Sequence, residues 1–151
     1  MKKYTQVDIS GDVGLRIWST EPEELFSNAA GGMYDLITDA SGIKETEKQS
    51  IILVSNNTED LLVKWLNELV FLFDAYRFVG ITYDIKLEHM QKPDDTGDEQ
   101  YDAIKLKADI SGGIFNQESN ERRLLIKAAT YHDLSVKKTG SGWEAVVVFD
   151  I

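Results

Sequence analysis

The sequence predicts an α+β fold, in which mostly antiparallel or mixed β-strands form a sheet and two main helices pack on one face of it. Two segments repeat apolar residues at helical spacing. Several shorter segments alternate apolar with polar residues, which is typical of strands with one wet face. Helices do not separate the strands regularly, as βαβ units would require. The 151 residues show no internal repeat and no low-complexity tract, so we expect a single domain over residues 1–151.

The first helix is predicted to begin near Thr20, which can cap it, with Glu23 completing a capping box and Pro22 tolerated in the first turn. It should end near residues 38–39. Gly31 and Gly32 lie inside it and each costs roughly 1 kcal/mol of helix propensity, which indicates close packing against a neighbouring element. Its apolar stripe comprises Leu25, Phe26, Ala29, Met33, Leu36 and Ile37.

The second helix is predicted to start at Asn57 or Thr58, either of which can act as its N-cap. Glu59 and Asp60 follow in the first turn, where negative charge favours the positive helix end. A broad apolar stripe predicts that one face is buried against the sheet. That stripe comprises Leu61, Leu62, Trp65, Leu66, Leu69, Val70 and Phe73.

The remaining segments are predicted to be strands and the turns between them. Gly140 and Gly142 flank Ser141 in a turn that joins two strands as a hairpin. Residues 92–99 carry Pro93, Gly97 and several acids, which favours an exposed loop. That loop lacks the spaced oxygens of a calcium-binding EF-hand, so we interpret it as solvated. The predicted strands cover residues 13–18, 51–54, 81–87, 103–110, 124–131, 133–137 and 143–151.

Composition excludes several classes of function. There is no cysteine, which removes disulfides, thiolate nucleophiles and Cys-based zinc sites and fits a cytoplasmic location. No apolar run is long enough to span a membrane. The two histidines, His89 and His132, are not spaced as helical zinc ligands, and residues 11–14 lack the Lys-Ser/Thr pair of a P-loop. We therefore predict no catalytic residues.

The net charge of −10 makes direct binding of RNA or DNA unfavourable, because that affinity depends mainly on Lys and Arg. An acidic chain suits hard cations or a basic protein partner, although simple solubility is an alternative explanation. At the chain end, Asp150 places a second anion within one residue of the terminal carboxylate of Ile151. A cation or a basic partner would relieve their repulsion, and ordinary hydration is the other reading.

Five blocks in order along the chain resemble the archease family. Residues 10–18 are similar to its N-terminal motif, His-Thr-Ala-Asp-Val-Gly followed by a strand ending in Trp. A Glu-Glu-Leu-Phe start and a Met-Tyr-Asp-Leu-Ile-Thr-Asp segment follow in the first helix. Residues 61–74, including Trp-Leu-Asn-Glu-Leu, resemble the central helix. Residues 127–132 resemble a Lys-Ala-Val-Thr-Tyr-His strand, and residues 143–151 the last strand. The N-terminal motif departs from the family where Ile9 stands in place of histidine and where Ser10 and Gly11 replace threonine and alanine, whereas its aspartate is kept as Asp12.

The resemblance implies an archease-like fold and a non-catalytic role. Archeases are accessory factors of the GTP- and manganese-dependent RNA ligase that joins ends bearing 2′,3′-cyclic or 3′-phosphates in tRNA splicing. The implied action is to promote guanylylation of the ligase and multiple turnovers. RNA would be reached only through the ligase, in the cytoplasm.

The same resemblance implies the site residues. The metal ligands would be Asp12, Asp150 and the carboxylate of Ile151, and the residues that activate the partner would be Lys127 and Asp39. Three carboxylates suit a hard divalent cation, for which we expect calcium, with magnesium or manganese as alternatives. A lysine that protects a strand edge is the plain alternative for Lys127.

Two other functional classes stay open at this stage. One is a chaperone or general protein-modulating module, since an acidic α+β domain without a catalytic centre could shield partners. The other is a metal-dependent hydrolase built on Asp12 and Asp150, for which His132 is the only histidine candidate as a general base.

Overall fold

The computed structural model describes residues 3–93 and 100–151. Within them lie seven strands, two helices and a short 3-10 turn at Ala40–Gly42. In chain order the elements are β1 (Tyr4–Ile9), β2 (Asp12–Ser19), α1 (Pro22–Ile37), β3 (Glu47–Ser55), α2 (Thr58–Tyr76), β4 (Phe78–Pro93), β5 (Gln100–Ile114), β6 (Ala128–Thr139) and β7 (Gly142–Asp150). Of the loop predicted at residues 92–99, residues 92–93 are instead the end of β4, and residues 94–99 lie outside the described residues.

The strands form two antiparallel sheets, one with the order β1-β2-β7-β6 and the other with the order β3-β5-β4. The predicted α+β class with antiparallel strands and two helices is thus confirmed. The expected sheet is divided in two, because a strand pattern predicts which residues are extended but not which strands pair. Buried or half-buried residues alternate with exposed ones along much of β4 and β5 in the second sheet, whereas β7 in the first sheet buries Val147, Val148 and Phe149 in succession.

The helices and both sheets share one core. Helix α1 packs on β2 and β4, one strand from each sheet, and α2 packs on β6, β3 and β4. The Trp65 indole N–H donates to the Phe26 carbonyl at 2.8 Å, which joins the two helices inside the core. No helix in the described part of the chain is long and apolar enough to cross a membrane.

The helix ends correct one prediction and confirm another. The N-cap of α1 is Glu21, without a side-chain cap, so the predicted capping role of Thr20 is wrong. The Ser19 hydroxyl instead donates to the Glu21 carbonyl, which folds the segment before the helix into a tight turn. In α2, Asn57 is the N-cap, and its side chain accepts from the Asp60 N–H at 2.8 Å as predicted.

Close packing explains one of the two helical glycines. A Cβ on Gly32 would lie 2.9 Å from a Leu15 methyl and 3.1 Å from the Tyr4 ring. A Cβ on Gly31 would meet only the Tyr4 ring, at 3.8 Å. The predicted close approach is therefore confirmed, and Gly32 is the residue that requires it.

The β1–β2 hairpin was not predicted. Ser10 and Gly11 have φ values of 49° and 85°, the backbone of a two-residue hairpin turn. The available signals were the Ser-Gly pair and the alternation in residues 4–9. Because β1 forms the sheet edge and its residues are only half-buried, that alternation is weak.

Strand β6 differs from the predicted strand at residues 124–131 at both of its ends. Residues 124–127 are not strand, and Leu124 N–H donates to the Leu36 carbonyl at the end of α1. The two strands predicted at residues 124–131 and 133–137 join into one strand with a bulge. In this bulge residues 131–134 lie opposite the single residue Val147. The predicted turn at residues 140–142 is confirmed as the β6–β7 connection.

Candidate metal and partner site

The first sheet brings Asp12 and Asp150 together at one of its ends. The paired register of β2 and β7 ends with Val13 opposite Phe149, and its continuation by one position would set Asp12 opposite Asp150. Side chains that oppose each other on neighbouring antiparallel strands share a face and have Cβ atoms about 4.5–5.5 Å apart. The two aspartates therefore form a pair of like charges on the outer face.

This acidic pair has the properties of an open oxygen-donor site. Asp150 is exposed and Asp12 is half-exposed. Among the described residues, neither carboxylate forms an ion pair. No group of three or more His, Cys, Asp or Glu side chains in that part of the chain is arranged to hold a metal ion. Asp12 and Asp150 are therefore the two side-chain oxygen donors that the described structure offers at this end of the sheet.

Lys127 lies beside the same end of the sheet. Its backbone N–H donates to the Asp150 carbonyl at 2.8 Å, which ties the segment entering β6 to the end of β7. Its side chain is exposed and makes no ion pair within the described part of the structure. Its ammonium is therefore available to an anionic group on a partner.

The side chain of Asn67 fixes the position of β6. Asn67 was not identified as a site residue from the sequence. Its amide accepts from the Ala129 N–H at 2.8 Å and donates to the Ala129 carbonyl at 3.1 Å. Through these two bonds, α2 holds β6 at Ala129, two residues beyond Lys127. The Thr130 hydroxyl adds a bond to the Val148 carbonyl at 2.9 Å. An asparagine among the apolar residues of the predicted second helix was the available signal.

Asp39 follows the C-terminal end of α1, and no hydrogen bond among the described residues links it to Asp12 or Asp150. Its carboxylate accepts from the Ser41 hydroxyl at 2.7 Å and the Ser41 N–H at 3.0 Å. These bonds, with a smaller contribution from Arg123, lower the pKa of the Asp39 carboxyl. The contacts that the structure shows make Asp39 the cap of the 3-10 turn.

His132 lies on the β6 bulge, exposed to solvent. Its Nε2 lies 3.3 Å from the Asp133 carboxylate, and both side chains are more than half exposed. Asp133 has a positive φ of 51°, which helps to form the bulge. No contact in the described residues links His132 to Asp12 or Asp150.

A family comparison decides what kind of protein carries this site. The Archease protein family (MTH1598/TM1083) matches residues 4–151. The chain belongs to the archease family. Among similar curated proteins, the protein archease of Saccharolobus solfataricus is 34% identical over 151 residues, covering all of both chains. The protein archease of Methanosarcina mazei is 33% identical over 150 residues, covering 99% of this chain and 97% of its own.

A solved archease structure agrees with this fold. The solution structure of protein 1598 of Methanobacterium thermoautotrophicum has a TM-score of 0.76, is 26% identical and covers all of both chains. Archeases are a family of protein cofactors, and membership supports a general role in tRNA processing beside an RNA ligase. The open acidic end of the sheet is compatible with such a role, because its groups are exposed and few bonds occupy them.

Proposed function

We propose that this archease activates a GTP-dependent RNA ligase by promoting guanylylation of the ligase and multiple-turnover ligation in tRNA splicing or RNA repair. The observation that carries the proposal is the match to the family over residues 4–151. Under this proposal the archease binds the ligase in the cytoplasm and meets RNA only through it. The net charge of −10 supports the indirect contact, since little counterion release is available to reward binding of RNA by the archease alone.

The proposed metal ligands are Asp12, Asp150 and the carboxylate of Ile151. The pairing of Val13 with Phe149 supports this set, because Asp12 and Asp150 are the next residues on these two neighbouring strands and carry hard oxygen donors. The ion that we propose is calcium, with magnesium or manganese as alternatives. When bound, a divalent ion would supply positive charge at the archease tip. The chain's own contribution is to hold the carboxylates together on neighbouring strands and to keep them open to a partner.

Lys127 is proposed as the residue that contacts the ligase near its nucleotide. The bond from its backbone N–H to the Asp150 carbonyl keeps the lysine beside the acidic pair. This arrangement would present negative and positive charge together, and such a mixed surface could align reacting groups of the partner. Asp39 is proposed as a second contact for the ligase, reached from the end of α1.

Reconstituted ligation tests this proposal. The cognate ligase, held at a concentration far below that of its RNA, should join many RNA molecules per ligase only when the archease is present. Asp84→Asn is a matched control, because Asp84 is an exposed aspartate on the second sheet. It should activate like the unaltered protein, whereas Asp150→Asn should not. If turnover is unaffected by the archease, and it instead binds many unfolded proteins, the chaperone class is favoured.

A further inference from the structure

Arginines are concentrated at one corner of this acidic molecule. The chain has four arginines. Three of them, Arg77, Arg122 and Arg123, line a cavity of about 90 Å³. This cavity lies where the C-terminal end of α2 meets the segment that follows β5. The fourth, Arg16, lies on the first sheet and forms an ion pair with Glu144. Three arginines lining one small cavity are unexpected in a chain of net charge −10.

The backbone and an aromatic ring hold Arg77 in place. It is the C-cap of α2 with a left-handed φ of 59°, and its N–H bonds to the Leu72 and Phe73 carbonyls. Its own carbonyl accepts from the Phe115 N–H at 2.7 Å. The guanidinium lies 5.4 Å from the centroid of the Phe73 ring. A guanidinium stacked in this way loses little freedom when it binds an anion.

The three arginines differ in whether a carboxylate forms an ion pair with them. Arg123 forms ion pairs with Asp35 at 3.2 Å and with Glu121 at 3.1 Å. Across the described residues, Arg77 and Arg122 form no ion pair. The three arginines and these two carboxylates together carry a charge of +1, and Arg77 and Arg122 are the two arginines without an ion-pair partner among the described residues.

We propose that this cavity binds the phosphate group of a small molecule. A phosphate monoester carries about −1.5 to −2 charge near pH 7, which matches the two unpaired guanidinium groups better than a single carboxylate does. The volume corresponds to about three water molecules at roughly 30 Å³ each, enough for one tetrahedral oxyanion. The forked donors of arginine suit phosphate oxygens. The ligand is free phosphate or the phosphate of a nucleotide whose base rests on Phe115 and the 60% exposed Leu125.

Titration of the isotope-labelled archease followed by NMR tests the site without any ligase. Inorganic phosphate, adenosine monophosphate and acetate are added separately in a phosphate-free buffer. We expect the two phosphates to shift the backbone signals of residues 77, 115, 117 and 122–125 saturably. Arg122→Gln should weaken phosphate binding about tenfold or more, because a hydrogen bond to a charged group is lost. Arg122→Lys should recover part of it, and the control Arg16→Gln should bind normally.

Several results separate the ligand sources or overturn the site. Tighter binding of adenosine monophosphate than of phosphate assigns the cavity to a nucleotide, and equal binding assigns it to free phosphate. A second variant, Arg77→Asn, suits the left-handed backbone and should also weaken binding. The proposal is overturned if acetate binds as well as phosphate, or if Arg122→Gln and Arg77→Asn bind phosphate unchanged. The proposal does not depend on ligase activation, so the two can fail separately.

Discussion

At the scale of single residues, the central feature is a pair of like charges that the fold places side by side. Asp12 and Asp150 lie on neighbouring strands, and like charges that oppose each other in a sheet destabilise it. A protein keeps such a pair where a cation or a cationic partner offsets the repulsion. The proposed role of this pair as metal ligands can therefore be tested by a binding experiment on the free archease.

Asp12→Asn and Asp150→Asn should each weaken divalent-metal binding about tenfold or more, because each removes one anionic oxygen donor. Calorimetric titration with calcium and with manganese measures the affinity, and Asp84→Asn is the control. Metal affinity that stays the same in both variants would remove these aspartates from the site.

Asn67→Ala should lower the free energy of unfolding by about 2–3 kcal/mol, since it removes two hydrogen bonds and leaves the buried Ala129 N–H without a partner. It should also disturb the strand that leads to Lys127. Urea unfolding measures the first effect. A change within about 0.5 kcal/mol would show that water or another group replaces the amide.

At the scale of elements, the two helices could be predicted from the sequence and the strand partners could not. Apolar spacing and the Asn57 cap are local signals, so they located α2 to within a few residues. The pairing of β2 with β7 joins opposite ends of the chain, and no local pattern encodes it. The site residues Asp12, Asp150 and Lys127 were therefore proposed from family resemblance, and the fold adds that β2 pairs with β7 and that Lys127 bonds to Asp150. Asn67 was missed because its partner is a backbone group 62 residues away.

The two glycines of α1 give a matched pair of predictions for this element. Gly31→Ala should stabilise the protein by about 0.5–1 kcal/mol, because helix propensity improves and the new methyl group meets ordinary contact distances. Gly32→Ala should instead destabilise it by about 1–3 kcal/mol, since the methyl group would displace Leu15 and the Tyr4 ring. Thermal and urea unfolding of both variants compare them directly. Equal effects of the two substitutions would contradict the packing described for α1.

At the scale of the whole molecule, buried tyrosines link stability to alkaline pH. Burial raises the pKa of Tyr34 and of Tyr83, because the core disfavours the phenolate. Both groups contribute their full stabilisation below the unfolded-state pKa of about 10, and this is lost as pH rises toward their folded-state pKa values. Unfolding should become easier above about pH 10 by up to about 1.4 kcal/mol per pH unit for each tyrosine.

Urea unfolding between pH 9 and pH 11 measures this slope, and lysines contribute to it as well. The comparison with Tyr34→Phe isolates the contribution of one tyrosine. The free energy of unfolding of this variant should fall less steeply as pH rises. If the free energy of unfolding falls with pH equally in the two proteins, burial does not raise the pKa of Tyr34.

The proposed function requires that this archease speeds the transfer of guanylate from GTP to its ligase. Incubating the ligase with labelled GTP and a trace amount of archease tests it, with the label on the ligase followed over time. We expect labelling at least tenfold faster with the archease, a gain that requires only about 1.4 kcal/mol of the barrier. Lys127→Ala and Asp150→Ala should lose the gain while keeping an unaltered circular dichroism spectrum. Labelling that is no faster with the archease than without it would contradict the account.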